Sequence, residues 1–316
     1  MDLTSSNLLP IASLVPWLRP LWMVGVGALV ALGVLLGLFL LFQLLVPRTA
    51  AITRITAREA IAQPVFWVVM TVAVCGLILF PFVPYNTFGD DIKVIKDTGL
   101  TWIMVWSIAV ALWTASVSIA EELEGRTALT LLSKPIGRRS FVLGKFLGIS
   151  ISVAVMFILL GALFLATVSY KKVYDSRESG ESAPTQEQCA DEMQQILPGI
   201  ALAYLETVVL TSICVAISTR LPILPNLVIC LSIYILGHLV PLVVNSAVGK
   251  LELVAFVGTF LSVILPVLDH FNVYGSIATG ADVPWTYVGT AALYCVLYST
   301  VAMLLGLLLF EDRDLA

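Results

Sequence analysis

The chain has 316 residues, of which 59% are apolar and only 12% are charged, and its formal net charge is −4. Soluble domains carry about 25% charged residues, so this composition excludes a water-soluble enzyme, and an intrinsically disordered chain has the opposite bias. The modest acidic charge also excludes a nucleic-acid partner, which requires a basic face. The composition therefore indicates an integral membrane protein.

Seven apolar segments are long enough to cross a bilayer. A hydrocarbon core about 30 Å thick requires about 20 residues of α-helix. In chain order the segments are Leu21–Val46, Val65–Val83, Leu100–Ala120, Phe146–Val168, Gly199–Thr219, Ile223–Asn245 and Pro284–Phe310. The first segment is too long for the core of a signal peptide and is expected to remain as a span. The sequence thus predicts an all-α, polytopic membrane protein.

An eighth apolar stretch, Leu251–Leu268, is ambiguous. It has about 18 residues, which is the lower limit for a span, and it carries Glu252 and Pro266. It either crosses the membrane or enters it as a re-entrant or interfacial helix and returns on the same side. If it does not cross and the first span leads into the cytoplasm, the inner segments hold more Lys and Arg than the outer ones, in agreement with the positive-inside rule. This arrangement places residues 1–20 outside and the C-terminus in the cytoplasm.

Two polar segments outside the spans have different patterns. Residues 48–63 place Arg54 and Arg58 on one side and two isoleucines on another, which predicts an interfacial amphipathic helix. The alternative is a plain basic flank of a span. Residues 169–198 form the one sizeable hydrophilic segment and are expected to be an outer polar loop, partly flexible.

The segment 121–145 concentrates much of the scarce charge. Three acidic residues end the preceding span, because a helix with three acids in four residues must leave the lipid. A short helix with a leucine-rich face follows, and Pro135 ends it, since the residue before proline disfavours helix. Basic residues then flank the return to the membrane. The pattern predicts a helical hairpin on the inner face that is suited to docking a protein, the alternative being an ordinary charged loop.

At these residues the chain resembles the permease subunits of type-2 ATP-binding-cassette (ABC) transporters. The pattern E-x-E-x-x-T-x-x-x-L-L-S-x-P-x-x-R, followed by G-K at the next span, is formed here by Glu122, Glu124, Thr127, Leu131, Leu132, Ser133, Pro135, Arg138, Gly144 and Lys145. Other familial stretches are Ile52–Val68, Tyr234–Leu239, Ile264–Val273 and Leu307–Leu315. Phe88–Leu100 is similar to the outer loop of the subgroup nearest the membrane subunit of nitrous-oxide-reductase maturation.

The resemblance implies a six-span permease core in residues 47–316, to which residues 1–46 add an extra N-terminal span. It implies a coupling helix within 121–145 that docks on a separate ABC-type ATPase subunit, and a second permease copy, either identical or homologous. The implied docking residues are Glu122, Glu124, Arg126, Thr127, Leu129, Leu131, Leu132, Ser133, Pro135 and Arg138. It also implies export from a cell membrane, with a bacterial inner membrane as the expected site.

No catalytic residue, cofactor or metal is expected on this chain. The nearest approach to a phosphate loop, Gly137–Phe146, has six residues between its glycines instead of four, and it runs into a span. ATP hydrolysis is therefore expected on the partner. The alternative function is a membrane scaffold or assembly factor that uses the same hairpin to hold a cytoplasmic protein without transport.

Two polar residues, Glu206 and His238, fall inside predicted spans at similar depth. An acid inside a membrane is costly and points to a function or a partner. We hypothesise a hydrogen bond or ion pair between them; the alternative is separate structural hydrogen bonds to neighbouring groups. An intramembrane enzyme would need a nucleophile with a base or two paired acids, and only this pair approaches that requirement.

Overall fold

The computed structural model describes residues 20–83, 85, 91–124, 137–180, 182, 184–244 and 252–311. The helices of these residues are α1 (Leu21–Leu45), α2 (Pro47–Ala62), α3 (Pro64–Leu79), α4 (Asp91–Glu124), α5 (Arg138–Glu178), α6 (Gln186–Gln194), α7 (Leu197–Ser218), α8 (Ile223–Val244), α9 (Glu252–Ile264), α10 (Tyr274–Ala278) and α11 (Trp285–Glu311). Seven spans of the described residues are long and apolar enough to cross a membrane. The predicted all-α polytopic fold is confirmed.

The core of the bundle is formed by α4, α5 and α7, which pack on one another and bury most of their apolar length. Helices α3, α8 and α11 flank this core and leave most of their side chains partly or fully exposed, while α1 contributes no buried residue. Exposed leucine and valine side chains are favourable in lipid, so this distribution is the one expected for a membrane bundle. The end at which α4 ends and α5 begins is called here the hairpin end.

The hydrophilic segment 169–198, expected to be a loop, is largely helical. Helix α5 continues to Glu178, and α6 follows with a capping box formed by Thr185 and Gln188. Polar side chains in and beside the segment form ion pairs both between helices and within α5: Lys171 Nζ lies 3.0 Å from a carboxylate oxygen of Asp91 on α4 and 3.0 Å from one of Asp175, four residues further along α5. These ion pairs stabilise helix where the sequence shows only polarity.

Helix α2 occupies the position of the predicted interfacial helix and packs on α5 through a face of small residues. The buried residues of this face are Thr49, Ala50, Thr53, Thr56 and Ala60. A Cβ added at Gly144 of α5 would lie 2.7 Å from the Ile52 Cβ, and one added at Gly148 would lie 2.6 Å from the Thr56 Cβ. The two glycines therefore permit a close approach of helices, while Arg54, Ile55 and Arg58 remain exposed.

The ambiguous stretch before α10 contains a helix that is too short to span a bilayer. Helix α9 has 13 residues, which is about 20 Å of helix, and it packs against α8. A turn of 3₁₀-helix, Leu268–Phe271, then packs on α7 and α8, and α10 packs on α4. The Tyr274 hydroxyl lies 2.9 Å from Met104 Sδ, so one face of the segment from Leu268 to Ala278 is buried against the bundle, while Asp269 and His270 are exposed.

Candidate functional site

The residues predicted to dock an ATPase lie between the end of α4 and the start of α5. Glu122 and Glu124 belong to the last turn of α4, and Arg138 begins α5. The others fall outside the described residues: Arg126, Thr127, Leu129, Leu131, Leu132, Ser133 and Pro135. The structure therefore describes the two helix ends that flank the predicted hairpin, and these ends are called here the hairpin base.

Lys145 is the central residue of the hairpin base. Its side chain is only 2% exposed, and its Nζ donates a hydrogen bond to Ser118 Oγ of α4 at 2.9 Å. The same Nζ lies 3.6 Å from a carboxylate oxygen of Glu59 on α2 and 5.9 Å from the centre of the Phe141 ring. A buried ammonium group is costly unless it is paired. Lys145 thus joins α2, α4 and α5 beside the hairpin; the sequence marked it only as part of the motif.

The end of α11 is attached to the same base. Arg138 lies over the Phe310 ring at 5.8 Å from its centre, and Phe141 stacks on Phe310 with 5.9 Å between ring centres. From the connection between α7 and α8, Arg220 Nε donates a hydrogen bond to the Leu309 carbonyl at 2.6 Å. A cation at a helix C-terminus satisfies carbonyls that lack an intrahelical partner. The last turn of α11 is therefore linked to both neighbouring chain segments.

A second polar contact lies deeper in the bundle, around Asn226. Its Nδ2 donates to Ser116 Oγ of α4 at 2.9 Å and to the Cys214 carbonyl of α7 at 3.3 Å. Cys230 Sγ donates to Asn226 Oδ1 at 3.4 Å. Sequence reasoning missed this residue, although an asparagine near the start of an apolar span was the available signal. Asn226 holds α4, α7 and α8 together by hydrogen bonds across helices.

Glu206 and His238 form the polar pair at mid-depth. Glu206 on α7 is fully buried, and His238 Nε2 on α8 lies 2.9 Å from Glu206 Oε1. The Tyr234 ring stands nearly perpendicular to the imidazole, with 5.0 Å between the centres. Glu206 Oε2 and His238 Nδ1 are buried without a hydrogen-bond partner among the described residues. The hypothesised contact is confirmed.

The chemistry of this pair is a hydrogen bond that attaches two helices. A polar group buried in a membrane is costly unless it is hydrogen-bonded, and the contact gives each of the two side chains a partner. Within the residues that the structure describes, no group of three His, Cys, Asp or Glu side chains could hold a metal ion. The pair links the core helix α7 to the flanking helix α8.

The known family that matches the chain covers the hairpin and most of the bundle. A family model described as ABC-2 family transporter protein matches residues 93–315, which is more than half of the chain. The match runs from the beginning of α4 to beyond α11, and α1, α2 and α3 precede it. No curated protein matches the chain.

Proposed function

Because the chain belongs to the ABC-2 family of transporter proteins, and is therefore the membrane permease of an ABC transporter, we propose that it dimerises and couples to a separate ATPase subunit. The observation that carries this proposal is the hairpin base, where Lys145 links α2, α4 and α5 directly beside the predicted docking segment. A docked partner that moves the hairpin would act on all three helices at once.

The mechanical part of the proposal depends on the continuity of two core helices with the hairpin. Helix α4 has 34 residues and α5 has 41, which at 1.5 Å per residue is about 50 Å and about 60 Å of helix. ATP binding closes the partner dimer, the docked hairpin shifts, and α4 and α5 tilt as rigid bodies between two packings. The close contact at Gly144 and Gly148 makes α2 move with α5.

The docking chemistry that we propose combines an apolar contact with charged edges. Leu129, Leu131 and Leu132 enter an apolar groove of the ATPase subunit, which supplies most of the binding energy. The charged residues at the rim fix the orientation through complementary pairs; they are Glu122, Glu124, Arg126 and Arg138. Thr127, Ser133 and Pro135 shape the short helix and its end.

The remaining parts of the proposal concern the assembly and its setting. Exposed apolar side chains on one side of α8, among them Leu224, Val228, Leu231 and Leu242, offer a surface for the second permease copy.

The excess of Lys and Arg on the hairpin side supports a cytoplasmic hairpin and C-terminus in a bacterial inner membrane, with export as the direction. Residues 88–100 are similar to the outer loop of the permeases related to nitrous-oxide-reductase maturation, and this similarity supports membership of the chain in that subgroup. Helix α9 has 13 residues and is too short to cross a bilayer, which supports a re-entrant helix that returns on the outer side.

The test is a reconstitution of the permease with the ATPase encoded by an adjacent reading frame. Replacing Leu131 and Leu132 together by alanine is expected to abolish co-purification of the two subunits and the permease-dependent part of the ATP turnover. The matched control replaces Leu293 and Leu297, two exposed leucines of α11, and is expected to change neither. Unchanged binding and turnover in the hairpin variant would contradict docking. Binding that never alters turnover would identify a scaffold instead.

A further inference from the structure

A cavity of about 320 Å³ lies between the extra N-terminal helix α1 and the core, beside the contacts that α1 makes with α5. One wall is α1 at Gly27 and Ala31, the other is α5 at Phe157 and Ala162, and the segment around Met193 closes one end. We propose that this cavity binds an acyl chain of a membrane phospholipid. This proposal rests on the membrane fold alone and is independent of ATPase coupling.

The cavity is built from small residues that are not used for helix contact. On α1 a Cβ at Gly27 would meet no atom within 4 Å, whereas the glycines of α5 that face α2 are in direct contact with it. Helix α1 buries none of its residues, so its small side chains leave space instead of closing it. An empty apolar space of this size forfeits the dispersion contacts that close packing provides. An occupant that restores those contacts must itself be apolar.

The cavity has the two-part chemistry of a phospholipid. Its lining is apolar except for Gln194, which lies at the end opposite the hairpin. Two residues earlier on α6, Glu192 accepts a hydrogen bond from the partly exposed Lys172 at 2.8 Å. Gln194 is the polar group of the lining itself, and the Lys172–Glu192 pair lies beyond it, because Lys172 follows the lining residue Leu165 by seven residues, about two turns along α5. This combination suits a zwitterionic headgroup, with its phosphate and its ammonium, above a chain that fills the cavity.

The cavity exists only where α1 lies beside the core, at the depth of lipid chains. Gly27 is the seventh residue of α1, about 9 Å along the helix from its first residue, so the cavity lies at the depth of lipid chains. The family match begins at residue 93, so the wall formed by α1 is outside the matched range. The inferred function of α1 is to hold a lipid against the core of the permease.

The experiment uses the full chain in vesicles of phosphatidylethanolamine that carries a diazirine on one acyl chain. After illumination, peptide mass spectrometry locates the adducts. Wild-type protein is expected to carry adducts concentrated at Phe157 and Met193, above the level at the exposed Leu297 of α11. Gly27→Leu fills the cavity and is expected to remove most of the labelling at Met193. The control Gly33→Leu is on the same helix, faces open space and does not line the cavity, so labelling at Met193 is expected to persist.

Three results would overturn the proposal. The first is equal labelling of Met193 and Leu297 in the wild-type protein, which would indicate ordinary lipid contact. The second is labelling at Met193 that neither Gly27→Leu nor a second filling variant, Ala31→Phe, reduces while both variants remain folded by gel filtration. Labelling of Met193 by a photoreactive alkane but not by the phosphatidylethanolamine probe would also contradict a phospholipid occupant. None of these results bears on co-purification with the ATPase, which tests the proposed function separately.

Discussion

The carboxylate of Glu206 on α7 and the imidazole of His238 on α8 are 2.9 Å apart, and Glu206 is fully buried. Helix α8 otherwise presents mainly apolar side chains to the surroundings. Among the residues that the structure describes, side-chain hydrogen bonds at two places thus attach α8 to α7. One place is the Glu206–His238 contact, and at the other Asn226 donates to the Cys214 carbonyl. The energy of such an attachment can be measured, because each partner can be replaced separately.

Replacing Glu206 by leucine is expected to destabilise the bundle by about 1 kcal/mol, which is the scale of side-chain hydrogen bonds between membrane helices. Glu206→Gln is expected to cost less, because its amide oxygen still accepts a hydrogen bond from His238. The double variant with both residues replaced by leucine is expected to recover part of the loss. A double-mutant cycle in a reversible detergent unfolding assay measures the coupling. A coupling energy of zero would show that the contact contributes nothing to stability.

Replacing Gly148 by leucine is expected to separate α2 from α5. The first added carbon would already lie 2.6 Å from Thr56 Cβ and 2.8 Å from the Thr53 carbonyl oxygen, and overpacking of this kind costs about 1–3 kcal/mol. ATPase stimulation is expected to fall with the melting temperature. The control is Gly137→Leu at the beginning of α5, where a Cβ would meet nothing within 4 Å. A wild-type melting temperature for Gly148→Leu would refute the close packing of these helices.

Replacing Glu192 by glutamine is expected to destabilise the end of the bundle opposite the hairpin by about 3 kcal/mol, because Lys96 is nearly fully buried and loses its carboxylate partner. Asp175→Asn is the matched comparison. It is expected to cost clearly less, since Lys171 retains Asp91 at 3.0 Å. Thermal unfolding followed by tryptophan fluorescence ranks the two variants. Equal losses, or a larger loss for Asp175→Asn, would contradict the assigned pairs.

Replacing Arg220 by alanine is expected to loosen the last turn of α11, because the Leu309 carbonyl loses its donor. Amide hydrogen exchange in the peptide that covers residues 300–311 is expected to become several-fold faster, since local opening costs less free energy. Arg139→Ala removes an exposed arginine of α5 and serves as the control with unchanged exchange. The same exchange rate in both variants would show that Arg220 does not hold this end.

The spans could be predicted from the sequence because each is a local property. Segments such as Leu21–Val46 and Pro284–Phe310 carry enough consecutive apolar residues to cross hydrocarbon, and the structure has helices at both. The Glu206–His238 contact could also be proposed in advance, since a buried acid in lipid requires a partner and His238 falls at a matching depth. These predictions depend on chain length and on depth along a helix.

Two other segments could not be assigned from local pattern. The polarity of residues 169–198 is typical of a loop, but Lys171 and Glu192 find partners on other helices, and most of the segment is helical. The stretch before α10 is as apolar as a short span, yet its helix ends at Ile264 after 13 residues. In both cases the deciding contacts are with residues distant in sequence.

The sequence by itself thus determined that this protein is a helical membrane bundle and that its charge is concentrated between two of the spans, because apolar length and charge density act locally. Only the tertiary structure decided that Lys145 lies between Ser118 and Glu59, and that α1 leaves a cavity beside α5. The rotation of each helix about its axis selects which face meets a neighbour. In uniformly apolar spans the hydrophobic pattern does not specify that rotation, so packing between small residues and a few buried polar pairs sets it.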